Sequence, residues 1–207
     1  AYFMFVSLFQ HKAQTLEIRL AVSRDGVNWS WPERNKAFIP LGEPGAFDSG
    51  SLYMGQGLLR AGDELWQYYG GSPLLHDEDA SENPKSRFFS RIITRIDGYV
   101  SAEAGPQGGR FVTPPLSFTG NLLKLNVKVR EGGNVRVGLL DEQGQAVQDR
   151  ALDDCVPLTG DGVDVLVRWK TGGDVTSRAM KPTRLEVEMK EAGLYAFQFT
   201  MGFAGEG

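Results

Sequence analysis

Between Leu123 and Thr200 large apolar residues recur at every second position, in five separate runs. Leu123, Leu125, Val127 and Val129 are interleaved with Lys124, Asn126, Lys128 and Arg130, and Val135, Val137 and Leu139 with Arg136 and Gly138. The pattern returns at Val163, Val165, Val167 and Trp169, at Leu185, Val187 and Met189, and at Tyr195, Phe197 and Phe199. A period of two sends successive side chains to opposite faces of a strand, whereas a helix would scatter both classes around its circumference. Strands dry on one face and wet on the other pair antiparallel and pack their dry faces together. A β-sandwich is therefore expected from about Arg110 to the C-terminus. Glu131-Gly132-Gly133-Asn134, Asp141-Glu142-Gln143-Gly144 and Glu191-Ala192-Gly193 read as turns between the strands. Val175 to Met180 reads as a single helical turn.

The first half is also strand-like, with less regular punctuation. Tyr2 to Phe9 is nearly all apolar and reads as a strand buried on both faces. Leu16, Ile18, Leu20 and Val22 alternate with polar neighbours, as in a half-buried strand. In the turn Ser23-Arg24-Asp25-Gly26-Val27-Asn28-Trp29, Asp25 is placed to accept backbone amides and Trp29 to pack back over it. Ala37-Phe38-Ile39 reads as a short strand. Phe47 to Gly71 reads as an acidic turn followed by a hairpin: Ser51 to Leu59, a turn at Arg60 to Asp63, then Glu64 to Tyr69 closed by Gly70-Gly71. Ser72 to Lys85 is a long acidic loop. Arg87 to Ile96 reads as a strand with Phe89, Arg91, Ile93 and Arg95 on one face, and Phe88, Ser90, Ile92, Thr94 and Ile96 on the other. The glycine-rich Ser101 to Gly109 divides a domain of residues 1–105 from one of residues 106–207. Glycine (26) and proline (10) are spread at turn-like positions throughout, as an all-β protein of many short strands requires.

Other classes are disfavoured. With a net charge of −4 and no basic stripe, nucleic acid is not expected as the main partner. No apolar run reaches membrane-spanning length, so no membrane partner is expected, and the compartment is not readable. A chain beginning with alanine is expected to be processed or excerpted from a longer one. Cys155 stands alone, which rules out an intrachain disulfide and suggests a small buried hydrophobe. His76, Asp77, Glu78 and Asp79 have cation-binding side chains, but a run of acids in a loop is more often solvated, and the spacing of Asp153, Asp154, Asp161 and Asp164 matches no known calcium loop. Neither a metal nor a cofactor is expected.

The hairpin carries the side chains suited to a sugar. Aromatic rings cover the apolar faces of pyranose or furanose rings, and carboxylates accept hydroxyl hydrogens. Tyr53, Trp66, Tyr68 and Tyr69, with His76 beyond them, are the candidate substrate-binding residues. Asp48 and Glu64 are the candidate catalytic carboxylates, with Asp63 and Glu78 as further acids nearby.

Four segments follow one another in a suggestive order. They are Ser23–Trp29, Phe38-Ile39-Pro40-Leu41-Gly42, Phe47–Gly50 and Asp63–Gly71, and Ile93–Ser101 comes after them. Together they resemble the last blades and the closing strand of the five-bladed β-propeller glycoside hydrolases, the invertase, levanase and arabinanase group. The resemblance implies about two propeller blades in residues 1–105. It also implies a β-sandwich behind them, as in the fructan-cleaving members. The implied activity is hydrolysis of a fructan, an arabinan or a related oligosaccharide. The family's Trp-Asn-Asp-Pro-like, Arg-Asp-Pro and Glu-Cys-like acid segments do not occur here, so Asp48 corresponds to none of the family's carboxylates. The alternatives are a carbohydrate-binding module that does not cleave, or a structural part without catalytic blades. Two blades leave sheet edges open, which upstream blades or a second copy of the chain would cover.

Overall fold

A computed structural model describes residues 2–79, 81–82 and 86–202. The protein is all-β, and its chain divides into two compact units, Ala1–Ile96 and Asp97–Gly207.

The first unit is built on one sheet. β1 (Tyr2–Gln10) and β2 (Thr15–Ser23) form an antiparallel hairpin. The other side of β2 is shared by three short pieces: β3 (Trp29–Ser30), a bridge from Ile18 to Ile39, and the start of β4 (Ser51–Met54). β6 (Glu64–Ser72) pairs with β4 and β5 (Leu59–Ala61) on one side and with β7 (Phe88–Arg95) on the other. The run read as one strand from Ser51 to Leu59 is thus interrupted, and its two ends are aligned along the same neighbour. The core of this unit is Ile18, Ile39, Leu52 and Tyr69, with Phe5, Met54 and Ile92 packed against it.

Tyr2–Phe9 forms the expected strand but is not buried on two faces. β1 has only β2 beside it among the described residues, and Tyr2, Phe3, Met4 and Phe9 are exposed. Burial there follows from the number of neighbouring strands, which composition does not encode. The Ser23–Trp29 turn forms as its residues dictate. Asp25 accepts the backbone N–H groups of Val27 (2.9 Å) and Asn28 (2.7 Å), and Trp29 Nε1 donates to the Gly26 carbonyl.

In the second unit, β10 (Leu122–Leu140) and β12 (Arg184–Thr200) make one long antiparallel ribbon. β11 (Asp161–Leu166) flanks β10, while β8 (Ala102–Ala104) and β9 (Gly109–Val112) share the outer side of β12. The Ser101–Gly109 segment therefore contributes β8 to this sheet. Glu131–Asn134 and Glu191–Gly193 are bends within continuous strands rather than turns between strands. The register shifts between Val129 and Asn134, opposite Glu191, where Gly132 and Glu191 both take positive φ. The shift preserves parity, so Leu123, Leu125 and Val127 before the bend and Val135, Val137 and Leu139 after it enter the same core. Trp169 is buried, as its phase requires, and its Nε1 donates to the Val137 carbonyl at 2.9 Å. Cys155 is buried, and burial pushes its thiol pKa up. The helical turn over 175–180 is a short 3-10 segment, Thr176–Arg178.

Candidate functional site

The candidate site residues lie on or beside β6, and alternation along that strand sorts them onto two faces. Leu65, Gln67, Tyr69 and Gly71 point one way; Glu64, Trp66, Tyr68 and Gly70 point the other. Gln67 and Tyr69 are buried, so the first set faces the core.

Asp48 belongs to that inner face. The Tyr69 hydroxyl donates to Asp48 Oδ2 at 2.9 Å. Gly71 lies against the same residue, since a Cβ at 71 would fall 2.7 Å from the Asp48 Cβ and 3.2 Å from the Phe47 ring. The bond and the close contact fasten the Gly42–Gly50 segment to β6. Burial raises the Tyr69 pKa above the ordinary tyrosine value. A hydrogen bond with Ser90 works the other way, while the Asp48 carboxylate adds to the rise.

Glu64 belongs to the outer face. Its Oε2 accepts the Trp66 indole N–H at 2.9 Å, and the Arg91 guanidinium covers the Trp66 ring at 3.9 Å from its centroid. One face of that ring is therefore taken by a cation. Tyr68 stands beside it, exposed, and directly across from Arg91 on β7. Asp48 and Glu64 thus flank β6 from opposite sides and do not meet.

An open cleft of about 410 Å³ lies at the far end of the outer face, over Gly70 and Ser72. Gly70 pairs with Tyr53 of β4 on one side and with Phe89 of β7 on the other. Directly opposed residues share a face, so two exposed aromatic side chains flank a strand position that has no side chain. Tyr53 is 49% exposed and Phe89 88%. A Cβ at Gly70 would approach nothing closer than 3.9 Å, so the space above it is open.

His76, Glu78 and Arg87 complete the polar rim. The loop that carries the first two is tied down at several points. Ser51 Oγ donates to the Leu74 carbonyl at 3.0 Å, and the Leu74 N–H donates to Ser72 Oγ at 3.1 Å. Glu78 Oε2 accepts the Leu75 N–H at 2.7 Å, and the His76 N–H donates to the Gln14 carbonyl. The His76 ring packs on Phe9, with centroids 4.9 Å apart.

The structure therefore brings Tyr53 and His76 to one cleft, places Trp66 and Tyr68 further along the same face, and puts Tyr69 and Asp48 beneath it. Phe89 and Gly70 were not among the sequence candidates. Alternation places Phe89 on a strand face, but its partner across the sheet depends on register. Three of the acids between positions 153 and 164 lie beside lysines. Asp164 pairs with Lys124 (2.8 Å) and Asp154 with Lys170 (3.4 Å), and Asp161 lies 4.0 Å from Lys128.

No family model matches the chain, and no curated protein does. A solved structure similar to it is the glycoside hydrolase family 43 arabinoxylan arabinofuranohydrolase from Bacillus subtilis in complex with cellotetraose. The match has 14% identity and a TM-score of 0.27, over 90% of this chain and 48% of that one. The chain thus spans about half the length of that hydrolase.

Proposed function

We propose that the first unit binds an oligo- or polysaccharide in the cleft on the outer face of β6. The observation that carries this reading is the row Tyr53–Gly70–Phe89. A flat floor with an aromatic side chain at each edge fits the thin, apolar face of a sugar ring, and the hydroxyl edge then meets Ser72, His76 and the Tyr53 hydroxyl. A fructan, an arabinan or a related chain, the class implied by the blade-like sequence, is the first to try.

The geometry favours binding over cleavage by the residues of this chain. Glycoside hydrolysis needs two carboxyl groups on either side of one scissile bond, about 5–10 Å apart. Asp48 and Glu64 stand on opposite faces of β6, and Asp48 is occupied by Tyr69. At the cleft itself Glu78 has one oxygen committed to a backbone amide. The second unit offers no comparable aromatic platform at Trp169, which is 2% exposed.

Calorimetric titration with a panel of neutral oligosaccharides tests the proposal, alongside a reducing-sugar assay on the same panel. Binding that weakens at least tenfold in Tyr53→Ala and in Phe89→Ala, without sugar release, is the expected result. Release of sugar that depends on Glu78 would replace the binding reading with a catalytic one.

A further inference from the structure

The rim of the cleft has a cationic corner that neutral sugars would leave unused. Arg87 lies two residues before Phe89, and continuing the β6–β7 pairing by one position sets it across from Ser72. Residues two apart on a strand share a face and lie roughly 7 Å apart. Arg87 thus stands on the cleft side, one step along from the Phe89 ring, and it lines the same cleft as Tyr53. It is exposed, and among the described residues no hydrogen bond or ion pair engages its guanidinium. Glu78, the acid on the same rim, is turned toward the loop backbone by the Leu75 N–H.

We infer that the cleft takes a glycan whose rings carry carboxylates, a uronic-acid chain, with a ring lying between Tyr53 and Phe89 and its carboxylate on Arg87. The planar guanidinium offers two parallel N–H donors that match a carboxylate, and at low salt an exposed pair of this kind is least screened. The inference rests on the carbohydrate reading of the cleft and gives it a selectivity.

The test compares one chain in two charge states: tetragalacturonate and its fully methyl-esterified form, titrated into the whole protein at low salt. The acid is expected to bind about tenfold or more tighter than the ester, in line with a charge-assisted hydrogen-bond pair. Arg87→Gln should remove that preference, weakening the acid at least tenfold more than the ester. Equal affinity for the two forms would overturn the inference and leave sugar binding standing. A preference that survives in Arg87→Gln would also overturn it. Failure of both forms and of the neutral panel to bind would overturn the inference and the sugar-binding proposal together. Competition by acetate at the concentration of the sugar carboxylates would show a simple anion site and contradict the role given to the rings.

Discussion

The Tyr69 hydroxyl donates a 2.9 Å hydrogen bond to Asp48 on the buried face of β6. This bond joins the loop before β4 to the middle of the sheet, and it makes Asp48 a structural residue of the core side. Tyr69→Phe leaves a carboxylate beside an apolar ring. The expected loss is about 1.5–3 kcal/mol, the range for hydrogen bonds to charged groups, read from chemical denaturation.

The same pair sets an alkaline dependence. The Tyr69 pKa is raised in the folded state, first by burial and further by Asp48. A raised folded value means that the unfolded chain loses this proton first as pH increases. Its contribution to stability is full below about pH 10, the ordinary tyrosine value, and declines above it. Stability measured from pH 8 to 11 should fall less steeply in Tyr69→Phe than in the unsubstituted protein.

Gly70 and Gly71 are neighbours with opposite tolerances. A Cβ at 71 meets the Asp48 Cβ at 2.7 Å and the Asp48 Cα at 3.3 Å. Gly71→Ala should destabilise by about 1–3 kcal/mol through overpacking. Gly70→Ala should leave the unfolding midpoint nearly unchanged. Thermal unfolding of the two variants side by side checks the contrast.

Asp25 gives an acid dependence. Hydrogen bonds from the Asn28 side chain and from the Asn28 and Val27 amides hold its carboxyl well below the usual carboxylate range. With a depressed folded value, its contribution is present above the unfolded value of about 4 and is lost as pH falls below it. Asp25→Asn should flatten the fall in stability of the first unit between about pH 4 and pH 2, followed by Trp29 fluorescence.

In the second unit, Trp169 fills the core and donates its indole N–H to the Val137 carbonyl at 2.9 Å. Trp169→Phe leaves that buried carbonyl short of its donor and opens a small void. A loss of about 2–4 kcal/mol in denaturant unfolding is expected.

The sequence exposed its strands wherever one face was dry and the other wet. Leu123–Val129, Leu185–Met189 and the two faces of Phe88–Arg95 were legible for that reason, and so was the Asp25 turn, whose bonds are all local. Features set by neighbours were not legible. Tyr2–Phe9 carries the composition of an interior strand yet has only one partner strand among the described residues. Glycines 132 and 133 look like a turn, but they bend a strand that continues, because β12 bends opposite them. Asp48 looks like a sugar ligand until register places Tyr69 and Gly71 over it. The Tyr53–Gly70–Phe89 row joins three segments separated by loops, and only the pairing of β4, β6 and β7 assembles it.

Sugar binding by the first unit requires that sugar occupy the space above Gly70. Saturation-transfer NMR with a neutral oligosaccharide, comparing the unsubstituted protein with Gly70→Val, measures this most directly. A Cβ at 70 meets no atom closer than 3.9 Å, and the two methyl groups beyond it would stand over the floor between Tyr53 and Phe89. Transfer to the sugar that is strong in the unsubstituted protein and abolished in a folded Gly70→Val is the predicted result. Equal transfer in both proteins, or none in either, would contradict it.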